Sequence, residues 1–261
     1  MRLVLNALVI LRGLVEKHGR MVLSYDIKFA RERTIPDPKT IRDPERWKSS
    51  DAIQEFCRFS QRFFTLLPKS LDSAAPIEII RAAKASSPTG YFFSHVAPDY
   101  SSGFQLLGQV DSFLFLPQPL VYIPNNWMWQ GKYSVGQSSY KKEALTERWL
   151  RELPVKVEDI QALAPVKCKW LWINNVLYDF HTKYQRPGMP LQLDWVRYHG
   201  FCAIIVLMGK RLGADMSMEI TEIRKSLGRE GVWFTLKVLW NIGQRLAQLG
   251  FHMIRSFVRP S

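Results

Sequence analysis

The segment from Gly90 to Leu120 constrains this chain more than any other, because it predicts a helix start and the buried strand that follows it. Pro98 fixes φ and is favoured in the first turn of a helix, so a helix is predicted to begin beside Asp99. Ser101 and Ser102 are predicted to satisfy free amides of that turn, and the helix dipole favours an ionised carboxylate at Asp99. The apolar run at 113–116 predicts a buried strand edge. Asp99 is therefore either an ordinary helix-capping acid or a group placed for chemistry.

The same segment resembles the closing half of the catalytic domain of family 2 glycosyltransferases, inverting enzymes that use nucleotide-activated sugars. The resemblance spans roughly residues 66–139 and depends on the order and spacing of Gly90, Phe92, Phe93, Ala97, Pro98, Asp99, Tyr100, Ser102, Val110, Asp111, Pro119 and Leu120. It implies that Asp99 is the general base. In that role the carboxylate removes the proton of an acceptor hydroxyl as its oxygen attacks the anomeric carbon of the sugar.

The resemblance also implies a divalent cation, Mg²⁺ or Mn²⁺, which holds the leaving diphosphate and is usually bound by an Asp-x-Asp pair. No two aspartates of this sequence are separated by a single residue, so the metal ligands are expected to be absent from the chain. Residues 1–18 resemble the helix that normally follows those acids. We therefore expect the C-terminal portion of such an enzyme, from a truncated or split gene or a misplaced start codon. Without the donor-binding half, it is expected to be inactive alone.

The expected fold is α/β, a partial glycosyltransferase A-type domain with an incomplete sheet over residues 1–140, followed by a mainly helical extension over 141–261. In the first part, apolar spacing predicts a helix with Val4, Leu8, Leu11 and Val15 on its inner face, a strand at 21–29, a surface loop at 30–49, and helices at 51–64 and 77–85. Ser49 or Ser50 is expected to cap the helix at 51–64, with Ile53, Phe56, Phe59 and Phe63 facing inward. Helices at 141–153, 157–163, 166–184, 191–212, 218–227 and 232–258 are predicted for the extension.

A loop rich in tryptophan, asparagine and glycine follows the predicted strand. Such a loop suits the stacking and hydrogen bonding that a sugar ring needs, and Trp127, Trp129 and Ser134 are the candidate substrate-binding residues. The alternative is that these tryptophans only seal the join to the C-terminal helices. Asp179 and His181 are two apart on a predicted helix, where side chains diverge, which argues against a shared metal ion.

The net charge is +13, from 36 basic and 23 acidic residues, and the chain has no acid after Glu230. Residues 232–258 read as a long basic amphipathic helix, which suits either an anionic membrane surface or packing on a core. The alternative function is accordingly a non-catalytic membrane-surface or protein-interaction module. No nucleic-acid motif is present, so the expected partners are a nucleotide-sugar and a glycan or other hydroxyl acceptor.

Three widely spaced cysteines, Cys57, Cys168 and Cys202, are predicted to be buried thiols. No cleavable leader is evident in residues 3–11. The expected location is the cytoplasm, with peripheral attachment at the inner face of the membrane as the alternative.

Overall fold

The computed structural model describes residues 2–30, 41–60, 62–69, 73–88, 90–93, 96–124, 155–168, 171–184, 192–211 and 214–258, and every structural statement concerns these. The chain divides into two compact units, the first formed by residues 1–130 and 175–192 and the second by 131–174 and 193–261. The predicted boundary near residue 140 lies outside the described residues. Each unit is treated by itself.

The first unit combines a small sheet with short helices, which agrees with the predicted α/β class. Its elements in chain order are α1 (Arg2–His18), β1 (Leu23–Ala30), β2 (Glu45–Lys48), α2 (Ser49–Cys57), α3 (Phe63–Leu66), β3 (Ser73–Ala74), α4 (Ile77–Ser86), α5 (Pro98–Gln109) and β4 (Ser112–Pro124). The predicted strand at 21–29 and helix at 77–85 are confirmed as β1 and α4. The strand edge predicted at 113–116 is part of the longer strand β4.

The four strands form a mixed sheet in the order β2-β4-β1-β3. β4 runs parallel to β1 and antiparallel to β2, while β3 is antiparallel to β1. Leu114 and Leu116 of β4 join Leu23 and Tyr25 of β1 in a core cluster that also includes Ile10 of α1. Phe113 and Phe115, on the opposite face of β4, are buried as well, which explains why the run at 113–116 is apolar throughout instead of alternating.

The helix predicted at 51–64 is wrong as a continuous element, because α2 ends at Cys57 and α3 begins at Phe63. Phe59 has φ 47°, a left-handed conformation that a helix does not continue through. The inward-facing residues are nevertheless correct, since Ile53, Phe56, Phe59 and Phe63 are all buried. Burial of these side chains holds the break in place.

Two further expectations about this region are wrong. Neither Ser49 nor Ser50 caps α2, because Lys48 occupies the cap position without a side-chain bond and the Ser49 hydroxyl donates instead to the Val110 carbonyl, 2.5 Å away. The predicted surface loop at 30–49 contains β2, which pairs with β4 from Glu45 to Lys48. A short edge strand with charged residues lacks the apolar alternation that predicts strands.

The described part of the second unit is helical. Its elements are α6 (Val157–Ala162), the first three residues of α7 (Trp172–Lys183), α8 (Trp195–Arg211), α9 (Ser217–Glu230) and α10 (Val232–Val258). Buried polar side chains connect them: the Tyr198 hydroxyl donates to Asn174 Oδ1 at 2.6 Å, and His199 Nε2 lies 2.8 Å from Ser226 Oγ. The helix predicted at 232–258 is confirmed with the same bounds, while those predicted at 166–184 and 191–212 begin later.

The three cysteines are buried, as predicted. Burial raises the pKa of Cys57 to about 11 and that of Cys202 to about 12, so both are protonated thiols at neutral pH. Within the part of the chain that the structure describes, no helix has the length and apolarity needed to cross a bilayer.

Candidate functional site

Asp99 lies in the first turn of α5, as predicted from Pro98. Pro98 is the first residue of the helix, and Ala97 before it is extended, with φ −141° and ψ 74°. The Asp99 side chain is half-buried, so one side of it is open to solvent. Its position beside the helix N-terminus favours the negative charge that a general base requires.

The predicted role of the two serines after Asp99 is wrong. The Ser101 hydroxyl donates to the Pro98 carbonyl at 3.0 Å, and the Ser102 hydroxyl donates to the Asp99 carbonyl at 2.8 Å. Both hydroxyls therefore donate to a carbonyl one turn earlier, as hydroxyls inside helices commonly do. The N-terminus of α5 has no side-chain cap hydrogen bond.

The loop before Asp99 is fastened at both ends by α7. The Asp179 carboxylate accepts a hydrogen bond from the backbone N–H of Ala97 at 2.8 Å, and the Lys183 ammonium donates to the Ser87 hydroxyl at 3.1 Å. Because Asp179 and Lys183 are four residues apart on a helix, they lie on the same face. One face of α7 thus fixes both ends of the loop between α4 and α5, at Ser87 directly after α4 and at Ala97 directly before α5.

Both anchoring side chains are buried, at 0% exposure for Asp179 and 6% for Lys183. Burial lowers the pKa of Lys183, and the charge of Asp179 opposes that effect. Burial also lowers the pKa of His181, on the same helix. A buried charge is costly unless another charge or polar group is close, which makes this pair a strong constraint on the loop.

Packing on the other side of α5 completes the support. Gln105 Nε2 donates to the Phe92 carbonyl at 2.5 Å, which ties the loop to the middle of the helix. The Phe180 ring lies 5.2 Å from that of Phe104 and 4.6 Å from that of Phe56. The start of α5 is therefore held by α2, α7 and its own preceding loop.

Aromatic and basic groups surround Tyr100, the residue after Asp99. The ring of Tyr100 stacks on Phe63 with centroids 6.3 Å apart, and the Lys69 ammonium lies 5.7 Å from the Tyr100 ring centroid. Earlier in the loop, Tyr91 and Phe93 are exposed aromatic residues. Such rings are suited to contact the apolar face of a sugar.

Sequence reasoning missed Asp179, Lys183 and Lys69. The sequence pattern relates Asp179 only to His181, and it indicates no functional role for Lys69. A signal for the first pair does exist, because an acid and a lysine four residues apart on a helix lie on the same face. Nothing local connects either of them to Asp99.

Three predicted substrate-binding residues, Trp127, Trp129 and Ser134, lie outside the described residues. A cavity of about 400 Å³ lies between α1, β1 and β3, and Asp99 is not among its lining residues. Within the described ranges no three His, Cys, Asp or Glu side chains are placed to hold a metal ion. No family model, curated protein or solved structure matches this chain.

Proposed function

We propose that this chain supplies the acceptor side of an inverting, family 2-like glycosyltransferase, with Asp99 as its general base. The observation that carries the proposal is the half-buried Asp99 in the first turn of α5, whose preceding loop is fixed by two buried side chains of α7. A base of this kind must keep its position while a hydroxyl approaches. The nucleotide-sugar, and the divalent cation of the intact family, belong in this proposal to a donor-binding half outside the chain.

The reaction would be a single displacement. Asp99 takes the proton of the acceptor hydroxyl while that oxygen forms a bond to the anomeric carbon. The bond from this carbon to the diphosphate oxygen breaks, and the electron pair leaves with the nucleoside diphosphate. Attack opposite the leaving group inverts the anomeric configuration, and the proton remains on Asp99 until solvent removes it.

The surroundings of Asp99 suit an uncharged polyhydroxyl acceptor. Tyr91 and Phe93 offer exposed rings on which a sugar face can stack. The Lys69 ammonium, beside the ring of Tyr100, can donate a hydrogen bond to a sugar hydroxyl. Trp127, Trp129 and Ser134 are proposed to add to this surface. Donor sugar specificity would be set by the other half.

A deletion and complementation experiment tests the proposal in the cell that makes the protein. The gene is deleted, and the glycans of the cell are profiled by mass spectrometry. We expect one glycan to be lost, to be restored by the wild-type gene and by Asp111→Asn, and not to be restored by Asp99→Asn. Asp111 is a matched control because it is an exposed acid at the other end of α5. An unchanged glycan profile after deletion, or restoration by Asp99→Asn, would contradict the proposal.

A further inference from the structure

The inward side of the terminal helix α10 is mixed, because Val238 is 1% exposed and the Phe234 ring lies 5.2 Å from that of His199 on α8, while two polar residues lie on the same side. Within the second unit, Asn241 lies so close to α8 that a Cβ built on Gly200 would be 2.4 Å from its Oδ1 atom. Arg245, one turn later, is only 8% exposed and donates from Nε to the same Asn241 oxygen at 3.0 Å. Its guanidinium lies 5.9 Å from the Phe201 ring of α8.

The opposite side of α10 is apolar and faces solvent. Trp233 is 81% exposed and Trp240 is 71% exposed, and they lie two helical turns apart on one line. Between and beside them the exposed apolar residues are Val232, Leu236, Leu239 and Leu246. An ordinary surface helix has its apolar stripe on the core and its polar side in water, whereas α10 exposes a wide apolar side to solvent. A continuous exposed apolar surface of this kind indicates something that covers it.

The charges around this face identify what covers it. Helices α8 and α10 contain no acidic residue, and their basic residues are Arg197, Lys210, Arg211, Lys237, Arg245 and Arg255. A groove of about 530 Å³ brings Lys237 beside Trp233 and Trp240, and its two other charged residues, Asp194 and Arg197, form an ion pair at 3.4 Å. The charge left over in the groove is therefore that of Lys237, and a two-fold dimer through this face would double that excess, since both copies present one surface. An anionic lipid surface instead neutralises it.

We propose that the exposed face of α10 docks on an anionic lipid surface. Trp233, Leu236 and Trp240 enter the boundary between headgroups and acyl chains, and Lys237 contacts the phosphates. Tryptophan and basic side chains are the usual residues at this depth of a bilayer. The proposal depends on the second unit only and is independent of the role of Asp99.

Co-sedimentation of the full chain with vesicles tests this docking. Wild-type protein should bind vesicles of phosphatidylcholine with phosphatidylglycerol, bind pure phosphatidylcholine far less, and lose binding as salt is raised. The double substitution Trp233→Ser/Trp240→Ser should weaken binding roughly tenfold or more, because it removes most of the apolar surface that enters the lipid. Lys237→Gln should weaken it roughly fivefold.

The matched control is Tyr91→Ser/Phe93→Ser, which removes two exposed aromatic rings from the first unit. This variant should bind vesicles as the wild type does. Absence of wild-type binding to anionic vesicles, which needs no variant to measure, would overturn the proposal. Equal loss of binding in the control would also overturn it. The proposal would also be overturned if sedimentation velocity showed that the chain self-associates, that the tryptophan variant does not, and that the wild type fails to bind vesicles.

Discussion

Replacement of Asp179 by alanine should release the start of α5 and lower the stability of the first unit. The carboxylate is fully buried and accepts the Ala97 N–H at 2.8 Å. A hydrogen bond to a charged acceptor contributes about 1.5–3 kcal/mol. The same change removes the negative charge that raises the pKa of the buried Lys183 ammonium, so that charge is compensated less and the loss moves toward the upper end of this range.

A loss of about 3 kcal/mol is therefore expected from Asp179→Ala. In a chain of this size that corresponds to a fall of roughly 6–12 °C in the melting temperature. Asp179→Asn keeps the shape and can still accept the Ala97 N–H through its amide oxygen, so it should lose less. Asp159→Ala is the control, because that acid is exposed in the first turn of α6 and its removal should cost less than about 1 kcal/mol.

Urea unfolding followed by circular dichroism gives the stability, and hydrogen exchange with mass spectrometry locates the change. The peptide that contains Ala97 and Tyr100 should exchange faster in Asp179→Ala, while peptides from α8 and α9 should be unchanged. The argument fails if the alanine variant unfolds at the wild-type urea concentration and this peptide keeps its protection.

Two further predictions follow from backbone contacts and from titration. Gly103→Ala should destabilise the chain by about 1–3 kcal/mol, because its Cβ would lie 2.6 Å from Leu67 Cγ. Gly108→Ala in the same helix is the control, since its Cβ meets nothing within 4 Å and the change should be neutral or stabilising. Thermal melts of both variants measure the difference. Burial lowers the pKa of His199 and of His181, so the unfolded chain binds protons first and stability should fall as pH drops below about 6.5. Urea midpoints from pH 8 to 5 measure that fall, which should shrink in His199→Asn; a midpoint independent of pH would contradict it.

Local patterns in the sequence were sufficient for elements that depend on local chemistry. The bounds of α10 followed from its amphipathic period, and the start of α5 followed from Pro98. The buried face of α2 and α3 was also predictable, because every fourth or third residue is large and apolar. These signals lie within a few residues of the feature that they predict.

Long-range contacts decided the rest. The break at Phe59 depends on where its ring is buried, and β2 becomes a strand only because β4 offers it a partner. Asp179 reaches Ala97 across 82 positions of sequence, so no window of the chain contains both groups. The orientation of α10 was left open for the same reason, since its amphipathic pattern does not tell which side meets α8.

The sugar-transfer rate of Asp99→Asn relative to wild type is the most direct measure of the central claim. Extracts of the deletion strain complemented with each gene would be assayed for incorporation of labelled sugar into the glycan that the deletion removes. Loss of a general base predicts a rate at least about 100-fold lower, with Asp111→Asn at the wild-type rate. A rate for Asp99→Asn within about threefold of the wild-type rate would be much too small a loss for a general base, and would show that this carboxylate does not take the proton.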